Sequence, residues 1–520
     1  MQPFAKAFLY LTLFLTGAMI MALEILGAKV IHPFFGVTLY VWSSMIAVTL
    51  LSLSCGYFLG GWFADIKPKA AWLYGVLFVA SFFMAALPWL SPIILRWTAD
   101  FELRIGVLAA SFLLFFVPLL LLGVISPYAV RLSLVNISES GKTAGGLYAI
   151  STLGSLAGTI LTAFYFVPNF SLRELFISHA VVLMLIAVLG IFISKSWKSF
   201  LTPLLIAVAV GIVFLTMLFI PGVDSHQAQV LYKAETFYGQ IKVVEDKNVR
   251  AMLVNGSPQN YVVAGEDPYD FFEKIHYDSY MASLLLARPR LQEMLMVGLG
   301  IGRIAVFFSK YGVEVDAVEI DPKIKEVAET YFQFNLPKGD LYFGDGRRRI
   351  RELAKAGKKY DAVIIDAFAS YGLPTHFYTR EMFEETKEVL RPGGVIAINV
   401  GGSVEGIGSK VPRSILSTLR EVFPYAKAYD VNAKDRVNNI VLFASSEPFE
   451  VSGEACVLQD CQDQEKLVQA MAASDATDGL SGGRVLTDDY NPIAVWGIPV
   501  YRIYRERTVK FFGKDIMSEL

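Results

Sequence analysis

Seven stretches in the first 221 residues, roughly 8–30, 39–62, 71–95, 105–130, 144–168, 175–194 and 199–221, are apolar along their whole length. About 20 apolar residues in a helix cross a bilayer. A soluble core has no place for seven such segments in succession, so they predict a multi-span α-helical membrane domain over residues 1–224. A signal peptide would account for the first segment alone, and no small-residue cleavage site comes after it. Hydrophobic residues make up 54% of the chain and charged residues 18%, but the excess is confined to this half, and residues 225–520 read as an ordinary globular sequence.

Polar and small residues within the spans mark particular positions. Gly154-xxx-Gly158 lies in a segment crowded with small residues, a spacing that lets two helices approach closely. This favours a packing face within the bundle over a dimer contact. Glu24 falls mid-span, where a carboxylate is costly and faces the bundle interior or a water-filled cavity. It serves either to hold a cation or to make a structural bond to another helix. Basic residues on the two sides of the spans give conflicting guidance. Lys6, Lys67, Lys69, Arg131, Lys142, Lys195 and Lys198 share one side, and Lys29, Arg96, Arg104 and Arg173 the other. By the positive-inside rule this bias places the C-terminal half outside the cytoplasm. A cofactor made inside the cell argues the reverse, and a multi-pass protein of the inner membrane with its soluble part in the cytoplasm is the expectation.

After Pro221 the pattern changes. Residues 230–263 read as short antiparallel strands around an Asn255-Gly256 turn, and 268–287 has helical spacing of apolar positions. This small β unit with its linking helix occupies 225–290. From 291 to 520, strands at 294–298, 314–319, 340–343, 361–366 and 394–400 alternate with helices at 302–311, 322–332, 347–357, 379–390 and 411–422. That alternation predicts an α/β Rossmann-like domain with a mostly parallel sheet. The carboxyl ends of its strands carry Gly298, Gly300 and Gly302, then Glu319, then Asp345-Gly346, then Asp366. Ligands of such sheets bind at those ends. Arg303 occupies the third-glycine position of a dinucleotide fingerprint, which disfavours a pyrophosphate at the helix start. Glu319 suits ribose hydroxyls and Asp345 an adenine amino group, a pairing that fits S-adenosylmethionine or a relative. The net charge of −2 gives no case for nucleic acid. Cys55, Cys456 and Cys461 rule out a disulfide scaffold and lack the company of a zinc site, so no metal is expected.

The β unit ending in NGSPQ, the segment YDSYMASLLL, the glycine loop, VEID, GDG, YDAVIIDAFAS and LTDDYNPI together resemble the membrane-bound spermidine synthase-like proteins. In these, a multi-span part is fused to an aminopropyltransferase domain of the class I methyltransferase fold. The resemblance implies a transferase moving an aminopropyl group from decarboxylated S-adenosylmethionine, or from S-adenosylmethionine itself, to a small amine or polyamine. A homodimer is an assembly it allows. It implies that Gln259 touches the cofactor, that the three glycines pass beneath it, that Glu319 holds the ribose and that Asp345 with Gly346 holds the adenine. Asp366 then takes the proton of the amine, and Tyr277 orients it. Asp489 and Tyr490 become walls of the active site in place of a plain polar turn. His376 becomes a base or cofactor contact in place of a structural loop histidine.

Three departures weigh on the substrate. Ile301 stands where a spermidine synthase carries an aspartate in the glycine loop. Ala369 replaces a second aspartate, and Ser283 replaces a histidine. The adenosyl half of the site is untouched. Residues 266–278, with five carboxylates among aromatics, offer either a polycation surface or a solvated amphipathic face. Competing functions are a methyltransferase acting on a membrane-associated acceptor, and a polyamine-binding transporter or sensor.

Overall fold

The computed structural model describes residues 3–36, 38–134, 136, 139–194, 228–272, 274–336, 338–368, 372–451, 456–458 and 460–513. The apolar stretch 199–221 lies outside these residues, as do Lys195, Lys198 and Ala369. The described residues form two compact units, one built on the apolar helices and one on the α/β sequence.

Six helices in the first unit are long and apolar enough to cross a membrane. They are α1 (Pro3–Phe35), α2 (Leu39–Ile66), α3 (Ala70–Thr98), α4 (Leu103–Ser133), α5 (Ser140–Leu161) and α6 (Leu172–Ile193). Their ends are set by local chemistry. Glu102 accepts the Arg104 and Ile105 N–H groups at the start of α4, and Ser171 with Glu174 forms a reciprocal capping box on α6. Past its end α5 widens into a π turn at Thr162–Phe166, just before Pro168, which has no N–H to give to a regular ladder.

The small residues of α5 meet α1. A Cβ on Gly154 would lie 1.9 Å from the Phe14 carbonyl oxygen, and one on Gly158 would lie 2.3 Å from that of Ala18. The glycine pair is thus a packing face within the chain. A second such seam joins α2 to α4, where Gly56 and Gly60 lie against the backbone of Leu120 and Val124. Glu24 is half-buried on α1 and faces Thr49 of α2.

In the second unit, strands β1 (Gln229–Glu235), β2 (Gln240–Asp246), β3 (Val249–Val254) and β4 (Ser257–Val263) form an antiparallel sheet in sequential order. Asn255 and Gly256 both have positive φ, 48° and 76°, as a two-residue type I′ hairpin requires. Ile241, Val243 and Met252 of this sheet join the apolar core of the larger one.

The larger sheet has seven strands: β5 (Glu293–Val297), β6 (Glu314–Glu319), β7 (Leu341–Phe343), β8 (Tyr360–Ile365), β9 (Leu390–Gly402), β10 (Tyr425–Asp430) and β11 (Asn438–Ser445). Their order is β10-β11-β9-β8-β5-β6-β7. Pairs among β5 to β9 are parallel, and β11 is antiparallel to both its neighbours. This is the methyltransferase-like sheet expected. The central strands read as unbroken apolar runs because helices cover both faces. Between them lie α7 (Tyr277–Ala282), α8 (Arg303–Lys310), α9 (Pro322–Phe332), α10 (Gly346–Lys355), α11 (Arg380–Lys387) and α12 (Lys410–Val422).

Three features depart from the sequence reading. The helix expected over 268–287 exists only from Tyr277. Asp267 and Asp270 turn their carboxylates onto the N–H groups of Tyr269 and Phe272, each at 2.9 Å, and these local bonds displace a helix from the acidic stretch. Strands β10 and β11 lie beyond the last element inferred from periodicity. Cys456 and Cys461 are joined to each other in a disulfide ahead of a helix at Cys461–Ala473.

The α1–α5 seam generates a test. Gly154→Ala should destabilise the detergent-solubilised protein by about 1–3 kcal/mol or more, the cost of overpacking a close contact. Gly145→Ala, at a position with open space around the added methyl, should leave the melting temperature unchanged. Equal melting of the two variants would contradict the seam.

Candidate active site

Strand β5 is the point from which the parallel sheet winds in both directions, with β6 on one side and β8 on the other. The crevice of such a sheet opens at the carboxyl ends of those strands. The register brings those ends level: Val297 pairs with both Val318 and Ile365, and Glu319 with Phe343. Gly298, Glu319, Gly344 and Asp366 therefore emerge side by side.

The loop from β5 into α8 needs its glycines. Gly298, Gly300 and Gly302 have φ of 93°, 55° and 81°, a region closed to most side chains. A Cβ on Gly298 would lie 2.3 Å from the Asp366 carbonyl oxygen, whereas one on Gly300 would meet nothing within 4 Å. Gly300 thus presents bare backbone to open space, the approach a ligand needs. Leu299 and Ile301 turn inward into the apolar core. The side chain that replaces the missing loop aspartate is core packing.

Glu319, at the end of β6, is buried. It accepts the Leu299 N–H and the Asp321 N–H, both at 3.0 Å. One carboxylate thereby fastens the glycine loop to the neighbouring strand and keeps further lone pairs for hydroxyl donors. Burial raises its pKa, and the backbone bonds oppose that rise. Asp345 caps α10 through the Arg348 N–H at 2.9 Å. Its other oxygen lies 2.9 Å from His376 Nε2. Gly346 packs on Val297 and Phe377, with no room for a side chain. His376 is thus joined to Asp345 after the third parallel strand end.

Asp366 comes directly after β8. Its carboxylate accepts the Asn399 side-chain N–H at 2.9 Å, from the adjacent strand β9. Burial is the main reason its pKa is pushed up to about 7. The Asp278 carboxylate adds to the rise, and Asn399 and Tyr277 oppose it. The Tyr277 hydroxyl accepts from Asn260 at 3.2 Å and lies against both carboxylates. Burial, then those two negative charges, hold it protonated, well above the usual tyrosine range. Asp278, next along the chain, is 2% exposed and forms an ion pair with Arg303 at 3.0 Å. Composition and motif spacing gave no individual site role to Asp278, Arg303, Asn260 or Asn399. Two bare signals were present: a carboxylate beside the candidate tyrosine, and an arginine where a dinucleotide loop has glycine.

The remaining expected residues make contacts other than those of this cluster. Gln259 sits on β4 where the pairing with β3 shifts by a bulge, and its side chain donates to the Ser257 carbonyl at 3.3 Å. Asp488 is tied to the buried Arg347 at 2.7 Å, and Arg347 also holds Glu385 at 2.6 Å. The TDDYN turn is thereby locked to α10 and α11. Asn491 reaches the Thr375 carbonyl at 2.7 Å, next to His376. Asp489 is exposed, and the Tyr490 ring stacks under Arg484 at 4.0 Å, with its hydroxyl accepting from the same arginine at 3.1 Å. Within 266–278, Arg303 takes the Pro268 carbonyl at 2.5 Å and lies over Phe271 at 5.0 Å, so part of the acidic stretch folds onto the glycine loop.

The high pKa of Asp366 has a stability signature. Well below pH 4, folded and unfolded chains both hold its proton. Between about pH 4 and pH 7 the unfolded chain releases the proton and the folded one keeps it, so stability falls as pH rises. Asp366→Asn removes this penalty. Its melting temperature, relative to the parent's, should climb between pH 5 and pH 8. A difference that stays constant with pH would refute the shift.

Comparison with known proteins finds relatives of the C-terminal part of the chain. Residues 274–451 match the spermine/spermidine synthase domain. The polyamine aminopropyltransferase of Vibrio vulnificus is 30% identical over 38% of this chain and 66% of its own length. The probable polyamine aminopropyl transferase of Bifidobacterium longum is 24% identical over 52% of this chain and 63% of its own. The chain thus spans less than two thirds of each of these relatives. Among solved structures, a probable spermidine synthase from Corynebacterium glutamicum superposes with a TM-score of 0.39 at 19% identity, over 51% of this chain and 97% of that one. Residues 274–451 thus match the spermine/spermidine synthase domain, and this part of the chain is similar to polyamine aminopropyltransferases.

Proposed function

We propose that this synthase domain transfers an aminopropyl group from an S-adenosylmethionine-type sulfonium, intact or decarboxylated, to an amine of the polyamine class. Residues 225–520 form the catalytic part, and the apolar residues 1–224 hold it at the cytoplasmic face of the inner membrane. The observation that carries the reading is Asp366: a half-buried carboxyl at the winding point of the sheet, on the residue whose backbone packs against Gly298 of the glycine loop, with its pKa near 7.

The reaction asks little of the protein beyond placement. Glu319 receives the ribose hydroxyls, Asp345 with His376 borders the adenine, and the glycine loop lets the sulfonium lie close to the backbone. The acceptor must arrive as an uncharged amine. Its nitrogen lone pair forms the new C–N bond. The C–S bond breaks with its electron pair going to sulfur, and methylthioadenosine leaves as a neutral thioether. The proton shed by the new ammonium passes to Asp366. The Tyr277 hydroxyl, kept protonated by its surroundings, orients the incoming nitrogen. A carboxylate poised near neutrality is well matched to accepting a proton there.

Purified full-length protein is to be incubated with S-adenosylmethionine and, separately, with its decarboxylated form, in the presence of putrescine or spermidine, and the nucleoside product identified by mass spectrometry. Methylthioadenosine is expected. S-adenosylhomocysteine would replace aminopropyl transfer by methyl transfer, and no turnover with either donor would overturn the enzymatic reading. Asp366→Asn should lower kcat/KM by about a hundredfold or more, the usual contribution of a general base. In the parent, kcat/KM should rise with pH through about 7 as Asp366 ionises. Activity independent of this residue would remove its role.

A further inference from the structure

The Asp278–Arg303 ion pair has features that fold stability does not explain. Both side chains are largely withdrawn from water, with 3% and 15% of their surfaces exposed. A buried pair of opposite charges roughly cancels its own desolvation cost and is a weak source of stability. Each member also leaves one end unused. Asp278 Oδ2 meets Arg303 Nη1, while Asp278 Oδ1 is buried and makes no hydrogen bond of regular geometry among the described residues, with the Tyr277 hydroxyl beside the carboxylate. Arg303 spends Nε on the Pro268 carbonyl and Nη1 on Asn260 and Asp278. Its Nη2 donors make no hydrogen bond among the described residues. The two ends belong to one ion pair at the exit of the glycine loop, with Asp278 also beside the Tyr277 hydroxyl and close to Asp366.

A donor that has lost its carboxylate carries a sulfonium and an ammonium, two positive charges. An arginine beside its tail would repel it. Intact S-adenosylmethionine ends in an ammonium and a carboxylate on one carbon, which calls for an acceptor and a cationic donor close together. Ile301, turned into the core, contributes no loop carboxylate to repel that group.

We infer that Asp278 and Arg303 form the receptor for the amino-acid tail of intact S-adenosylmethionine, Asp278 Oδ1 taking the ammonium and Arg303 Nη2 the carboxylate. The inference rests on the sulfonium-site reading above and selects its donor. The nucleophile attacks the same carbon, so methylthioadenosine still leaves and the group moved is 3-amino-3-carboxypropyl. The C–N bond forms, the C–S pair returns to sulfur, and the proton goes to Asp366 as before. Asp278 and Arg303 are specificity-determining residues of this site.

Calorimetric binding to the full-length protein in nanodiscs tests the assignment with three probes: methylthioadenosine, which has no amino-acid tail, S-adenosylmethionine and decarboxylated S-adenosylmethionine. The intact donor should bind roughly tenfold or more tighter than the decarboxylated one, the scale of one charge-assisted hydrogen bond. Arg303→Met should bring that ratio to one or below while leaving methylthioadenosine affinity unchanged. Equal or tighter binding of the decarboxylated donor by the parent protein overturns the inference, as does a ratio unmoved in Arg303→Met. If that variant does not fold, the parent's ratio decides alone. Failure of methylthioadenosine to bind the parent would strike the sulfonium-site reading instead and is distinguishable on that ground.

Discussion

The site depends on one close approach of two backbones. At the winding point of the sheet, Gly298 leaves β5 with its α-carbon against the Asp366 carbonyl, where no side chain fits. That contact sets the glycine loop directly beside the residue that ends β8. Glu319 then pins the loop from the other side through the Leu299 N–H. The loop is fixed between two strands, and the one position it leaves uncovered is Gly300. Strand register brings the glycine loop, Glu319 and Asp366 together, and flexible side chains add little to it.

Burial does the rest. Partial withdrawal of Asp366 from water, with Asp278 nearby, moves its carboxyl from the ordinary carboxylate range to near neutrality. The same burial keeps Tyr277 a proton donor. A solvated pair of these residues would have an ionised aspartate of little basicity. The β sheet of residues 229–263 matters here as cover: Asn260 reaches Tyr277 and Arg303 from β4 and closes that side.

Much of this was legible in the sequence, because it rests on local rules. Parallel strands buried on both faces read as apolar runs. The glycines must stand where φ is positive, and the acids fall directly after the runs. The α9 start at Pro322 is set by Asp321 as cap and Pro322 at the first turn. What could not be read depends on contacts between distant residues. Asp278 and Arg303 are 25 positions apart and meet only in the fold. The acidic stretch before α7 has a helix-like apolar spacing, yet its aspartates bond their own backbone. Strand β11 enters between β9 and β10 from late in the chain, and its apolar run has no periodicity of its own to declare a direction. In the helical unit, Gly154 and Gly158 were visible as a close-packing pair, whereas the α2–α4 seam at Gly56 and Gly60 was not singled out.

The central claim is that Asp366 is a proton acceptor held near neutrality beside a sulfonium. Infrared difference spectroscopy of the parent against Asp366→Asn measures this directly, because a protonated carboxyl has its own carbonyl stretch. The account predicts a protonated carboxyl that is lost with a midpoint of about 7 in the free protein. It predicts that the midpoint falls when S-adenosylmethionine binds, since a nearby positive charge favours the carboxylate. A carboxyl already ionised at pH 5, or a midpoint that does not move when the sulfonium binds, would contradict it.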